Sequence, residues 1–208
     1  MLLAIDIGNS NIVAGIYKND DLLSTLRINT DKNKSSKEYA SLFSDLLETD
    51  GISMNSLDSS IISCVVPQLN DVLSETLTNY FNTEPLMVSS GIKTGMPILY
   101  DNPEEVGADR IVNSVAAYQK YKKSLIVVDF GTATTFDCIS EEGEYLGGII
   151  SPGITISSNA LFTEASKLPR VELIKPKKVI GKNTVESMQS GIILGYAAMV
   201  DGLIDKII

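Results

Sequence analysis

The chain has 208 residues, 44% hydrophobic and 21% charged, with a net charge of −9 and no histidine. That length holds one large core or two small ones, and an acidic chain with no basic stripe argues against a nucleic-acid partner. No apolar run approaches the about 20 residues of a membrane span, and MLLAIDIG lacks the basic flank and cleavage site of a signal peptide, so a cytoplasmic protein with no membrane partner is expected.

In chain order, residues 2–7, 12–17 and 22–28 read as three strands joined by tight turns. Residues 36–49 read as a helix, because Tyr39, Leu42, Phe43, Leu46 and Leu47 recur at helical spacing and Gly51 follows the end. SSIISCVV, 59–66, reads as a buried strand, and Pro67 then opens a helix with Leu69, Val72, Leu73 and Tyr80 inward. LMVS, 86–89, is a short strand, and a loop leads to a helix near 109–122 with Ile111, Val115 and Tyr118 on its inner face. Cys64 and Cys138 each lie inside an apolar run and read as buried free thiols of a reducing compartment.

SLIVVDFGTATTFDCIS, 124–140, then lies on LLAIDIGNSNIVAGIY at one constant offset. Asp129 falls on Asp6, Gly131 on Gly8, Thr132 on Asn9 and Thr135 on Ile12. A turn, Glu141-Glu142-Gly143, and a third strand, EYLGGII, follow. Two copies of strand, Asp-x-Gly-polar turn, strand point to two like domains, 1–119 and 120–208, facing one another across a cleft. In GGIISPG the strand runs into a Pro-Gly turn. In the last helix Val185, Met188, Ile192, Tyr196, Met199, Leu203 and Ile207 share one face, while Gly191, Gly195 and Gly202 lie in a second stripe of small residues. Glycine inside a helix costs about 1 kcal/mol relative to alanine, so the stripe calls for close approach by another helix, of this chain or of a second subunit. Asn183 and Glu186 read as a capping box around Thr184.

A buried carboxylate is costly without a partner. Asp6 and Asp129 either stabilise their turns or face bound cations. In the second reading the glycines let backbone approach a phosphate, and turn amides with Asn9, Ser10, Thr132 and Thr134 donate to its oxygens. Neither GxxxxGK[ST] nor a strand-to-helix GxGxxG is present, so phosphate binding rests on the paired hairpins.

DIGNSNIV (6–13), ISCVVP (62–67), Tyr100, GADR (107–110), DFGTATT (129–135), GGIISPG (147–153) and NTVESMQSG (183–191) together resemble the type III pantothenate kinases, within the acetate kinase/sugar kinase/chaperone ATPase/actin superfamily. The resemblance implies an α/β fold of two tandem actin-like (ribonuclease H-like) domains, each a mixed sheet with flanking helices, with ATP in the cleft. It implies ATP-dependent phosphorylation of the 4′-hydroxyl of pantothenate, the first committed step toward coenzyme A, by a homodimer using Mg²⁺ and K⁺ or NH₄⁺. By resemblance, ATP and its phosphates are held by Asp6, Ile7, Gly8, Asn9, Ser10, Asn11, Ile12 and Val13, with Gly131, Thr132 and Thr134 from the second copy. Asp6 holds Mg²⁺ through water and Asp129 the monovalent cation. Pantothenate contacts Tyr100, Gly107, Ala108, Asp109 and Arg110, with Thr184 supplied by the opposite subunit.

On the residues alone, Asp109 is either a helix cap or the general base. Arg110 either binds an anionic group or pairs with Glu104 or Glu105, and Tyr100 is either a substrate wall or core. Position 10 is Ser where the family commonly has Thr, which keeps the hydroxyl. The family runs on through a glycine-rich TGG adenosine segment, so the second domain is expected to be shortened at its C-terminus. Two other readings remain open at this point. One is a different phosphotransferase or phosphate-ester hydrolase of the superfamily, and the other a non-catalytic nucleotide-binding accessory protein.

Overall fold

Leu3, Ile5 and Ile7 alternate with Leu2, Ala4 and Asp6, and this period of two sets the first strand and its faces. In the computed structural model, which describes residues 1–89 and 91–208, β1 (Leu2–Ile7) buries Leu3, Ile5 and Ile7 to 2% exposure or less and leaves Asp6 exposed. The chain divides into two units, Met1–Tyr121 and Lys122–Ile208.

In the first unit β2 (Asn11–Lys18) and β3 (Asp21–Asn29) continue antiparallel from β1, and β4 (Ser59–Cys64) and β5 (Pro85–Met87) run parallel on its other side. The sheet order is β3-β2-β1-β4-β5. On its core face lie α1 (Ser36–Thr49), through Tyr39, Phe43 and Leu47, and α2 (Asn70–Tyr80), through Leu73 and Leu77. Ser35 caps α1 in a reciprocal box with Glu38. Pro67 opens a single 3₁₀ turn to Leu69 before α2 begins. Tyr80, expected inward, is exposed, because α2 ends there and Phe81, just past it, fills the core position. α3 (Ala108–Tyr121) packs on β4 and buries Ile111 and Ser114, while Val115 and Tyr118 are half-buried.

The second unit has an antiparallel sheet β6-β7-β8, with β6 (Leu125–Phe130), β7 (Ala133–Ile139) and β8 (Tyr145–Pro152). α4 (Ile154–Glu164) follows β8 directly; the expectation of a turn alone after GGIISPG missed it. Its apolar residues are spread among serines and threonines, so no helical stripe marks it in ITISSNALFTE. α5 (Thr184–Ile207) packs against α4, and Tyr196 on α5 bonds Ser157 at 2.5 Å and the Pro152 carbonyl at 2.8 Å. Met188 and Ile192 are buried as expected, but Val185 is 42% exposed. Among the described residues α5 is the one helix long and apolar enough by composition to cross a membrane, with Glu186, Gln189, Asp201 and Asp205 along it. Neither cysteine forms a disulfide, and both are half-buried rather than fully enclosed.

The two hairpins differ by one residue in their turns. Ile7 pairs with Ile12 across the first turn, where the Gly8 N–H donates to Asn11 O at 2.9 Å. Phe130 pairs with Thr134 across the second, where the Gly131 N–H reaches Ala133 O, one residue sooner, at 2.9 Å. The constant offset therefore ends at the turn. Thr134, not Thr135, occupies the place of Ile12, and Thr135 that of Val13. A shift of one residue exchanges the faces of a strand, so Thr135 stands on the face of Asp129.

Candidate active site

The first unit presents Asp6 near the carboxyl end of its central strand. Ser63, its parallel partner on β4, donates a hydroxyl to Asp6 Oδ1 at 2.9 Å, so one lobe of the carboxylate is oriented while the residue stays exposed. Thr30, just past β3, fixes the adjoining turn from below: its hydroxyl donates to Gly8 O at 2.6 Å and its N–H to Ser10 O at 3.0 Å. Asn9 and Ser10 are exposed at the tip, and Asn11, Ile12 and Val13 lead into β2. A Cβ on Gly8 would lie 3.2 Å from Asn11 O, closer than side chains tolerate without adjustment.

Asp109 stands in the first turn of α3, and its Oδ1 accepts the N–H of Arg110 at 2.8 Å. The carboxylate folds back toward Gly107, where a Cβ would meet Oδ1 at 2.6 Å. This gives the glycine of GADR a physical reason. The same Cβ would lie 3.7 Å from Val65 Cγ1, and the Val65 N–H donates to Ile7 O at 3.0 Å. Val65 thus links the end of the Asp6 strand to the start of α3. Ser63 and Val65 both lie within ISCVVP, yet sequence reasoning gave neither a role, since nothing in the run distinguishes a hydroxyl facing Asp6 from a filler. Arg110 is buried at 6% exposure rather than lying on the surface. Ala108 is buried beside it, and Tyr100 is half-buried in the loop before α3. On the Asp6 face of the sheet a cavity of about 390 Å³ is lined by Asp6, Val13, Tyr17, Ser63 and Val112.

In the second unit Asp129 is exposed on β6 beside the turn of Gly131 and Thr132. The Gly153 N–H donates to Thr132 O at 3.0 Å, and a Cβ on Gly153 would come within 2.4 Å of the carbonyls of both turn residues. Gly153 therefore lets the start of α4 press on this turn. Thr134, expected to donate to phosphate, is instead enclosed at 0% exposure on the core face of β7, and its hydroxyl has no hydrogen-bond partner. The shorter turn is the reason. Thr184 is exposed at the start of α5, where Asn183 Oδ1 accepts the Glu186 N–H at 2.9 Å. The Glu186 carboxylate bonds the Lys182 N–H at 2.9 Å, one residue further back than a reciprocal box requires. That backbone bond, then Asn183, holds the Glu186 carboxyl below the usual carboxylate range. An open groove of about 800 Å³ beside Thr184 is lined by Leu161, Leu168, Lys182, Ser187 and Tyr196.

The sequence model of the type III pantothenate kinase family matches residues 2–206. The chain belongs to that family. A type III pantothenate kinase of Syntrophus aciditrophicus is 56% identical over 206 residues, 99% of this chain and 81% of the relative. That of Geobacter sulfurreducens is 54% identical over the same shares, and that of Pelobacter propionicus 53% identical over all of this chain and 82% of its own length. Among solved structures, a Baf family transcriptional activator of Campylobacter jejuni superposes with a TM-score of 0.57 at 20% identity, over 96% of this chain and 78% of that one. The ethanolamine utilization protein EutJ of Carboxydothermus hydrogenoformans gives 0.51 at 14% identity, over 98% and 71%. These two likenesses concern the fold alone. As a type III pantothenate kinase the chain is an α/β protein with two sheets, and GADR, whose glycine leaves room for the Asp109 carboxylate, lies inside the matched region.

Proposed function

We propose that this chain transfers the γ-phosphoryl group of ATP to the 4′-hydroxyl of pantothenate, giving 4′-phosphopantothenate, the first committed step toward coenzyme A. Membership of the kinase family over residues 2–206 supports the reaction. The observation that carries the mechanism is Asp109 at the head of α3, its carboxylate drawn toward Gly107 and oriented by the Arg110 N–H. Asp109 is the general base, accepting the hydroxyl proton as the oxygen attacks phosphorus and ADP departs. A carboxylate suffices because the transition state is loose and needs mainly positioning and charge stabilisation.

The turn from Asp6 to Val13 and the turn of Gly131 and Thr132 hold the phosphates, through backbone N–H groups and the exposed Asn9, Ser10 and Thr132. Asp6 fits water-mediated Mg²⁺, since Ser63 donates to one oxygen and the carboxylate stays exposed as an acceptor. When bound, Mg²⁺ neutralises phosphate charge. Asp129, an exposed carboxylate paired across the hairpin with Thr135, offers oxygen donors suited to K⁺ or NH₄⁺. Tyr100 and Arg110 contact pantothenate. Thr184 reaches the site of a second copy, which makes the working form a homodimer. In support, a Cβ on Gly191, Gly195 or Gly202 would meet nothing within 4 Å among the described residues, so packing within this chain does not call for the glycines.

Asp109→Asn tests the base. The amide keeps the acceptor for Arg110, so the protein folds while kcat falls about a hundredfold or more. A loss of only a few-fold in a steady-state assay would remove Asp109 from that role. A substrate panel separates pantothenate from sugar hydroxyls and phosphate esters.

A further inference from the structure

Asp137 is a carboxylate at 0% exposure that the mechanism above does not use. It accepts the Tyr145 hydroxyl at Oδ1 over 2.8 Å and the Thr135 hydroxyl at Oδ2 over 3.3 Å, and Tyr145 is itself 1% exposed. Enclosing a carboxyl group to fasten β7 to β8 is an expensive device, since an amide or an apolar pair serves the same end.

The hairpin register shows what else the charge does. Asp129 pairs with Thr135 and Val127 with Asp137, so Asp129, Thr135 and Asp137 share one face of the sheet. Cross-strand partners hold their Cβ atoms about 5 Å apart, which sets the Thr135 side chain next to that of Asp129. A threonine hydroxyl has one proton, and an ionised carboxylate can only accept. With that proton directed to Asp137, Thr135 Oγ1 offers the remaining space only lone pairs. Such an oxygen beside a carboxylate repels an anion and attracts a cation. The arrangement exists because the second turn is one residue shorter than the first; at the first hairpin the same place holds the apolar Val13.

We propose that Thr135 Oγ1 is a second protein ligand of the monovalent cation, and that Asp137, steadied by Tyr145, is the positioning residue that keeps its lone pairs toward that cation. The inference rests on the assignment of the cation to Asp129. It gives the enclosed Asp137 a role beyond fastening β7 to β8.

The test measures melting temperature against KCl, with choline chloride holding ionic strength constant and no nucleotide present. The parent chain gains stability with K⁺ along a saturable curve. Thr135→Val, matched in shape, moves the midpoint at least about tenfold higher, Thr135→Ser restores it, and Asp137→Asn, which can turn the hydroxyl proton outward, weakens it similarly. A residue that only fastened strands together would lower melting at every KCl concentration and leave the midpoint in place. A Thr135→Val midpoint equal to the parent's overturns the inference and leaves Asp129 untouched. A parent with no K⁺ response overturns the Asp129 assignment and this inference together. If Thr135→Val does not fold, the Asp137→Asn midpoint decides in the same way.

Discussion

Gly107 and Asp109 illustrate how one side chain is set by the lack of another. The Asp109 carboxylate occupies the space a Cβ at position 107 would need, 2.6 Å from Oδ1. Gly107→Ala is expected to push the carboxylate away, lowering kcat at least about tenfold while melting changes little; unchanged kcat would show that the position of this carboxylate is immaterial. Cys64 reports on the neighbouring Asp6. Burial first, and the Asp6 charge as a lesser cause, push the Cys64 thiol above its ordinary range. The reactive thiolate is therefore scarce at neutral pH, and its reaction with a thiol reagent should rise only at higher pH than for an exposed cysteine. In a Cys138→Ser background, Asp6→Asn should move that profile to lower pH. An unmoved profile would place the two groups further apart than described. At this scale the sequence shows which residues carry chemistry but not what surrounds them. Asp6 is conspicuous at a strand end, whereas Ser63 faces it only because β4 lies parallel to β1 in one register.

Elements with a clear period were readable in advance. The first three strands and α1 fall where alternation and helical spacing put them, because each buries one face against a single partner layer. α4 was not readable, since its mean apolarity is spread around the helix and its start depends on Gly153 contacting a turn more than twenty residues earlier. The second hairpin shows the other limit. Aligned sequences preserve the order of residues, but the ladder is set by where the turn closes, and one residue fewer exchanged the faces of Thr134 and Thr135. Caps offer direct tests at this scale. Ser35→Ala removes the reciprocal box of α1 and should cost about 1 kcal/mol in urea unfolding; no change would show that the cap is redundant. At α5 the Glu186 carboxyl is depressed in the folded state, so its contribution is present above the unfolded carboxylate pKa. It is lost as pH falls through the folded value. Glu186→Gln should flatten that acid limb, followed by melting between pH 7 and about 3. A limb unchanged by Glu186→Gln would assign it to other carboxylates.

At the scale of the whole molecule, the repeated Asp-x-Gly hairpin led to the expectation of two mixed sheets; each sheet contains the three-stranded antiparallel run, but only the first is extended by parallel strands, so the second, β6-β7-β8, is antiparallel throughout rather than mixed. The proposed contact of α5 with a second copy was not readable from one chain, where among the described residues three helical glycines face open space. Gly195→Leu is expected to shift sedimentation from dimer toward monomer with helix content kept. A dimer unaffected by it would move the interface elsewhere.

The most direct measurement is ADP release by the 208-residue chain with ATP and Mg²⁺, with and without pantothenate, in K⁺ and then in Na⁺. Release that requires pantothenate and is faster in K⁺ is the predicted result. ADP release indifferent to pantothenate, or no release in either salt, would contradict the assignment of this chain as a working pantothenate kinase.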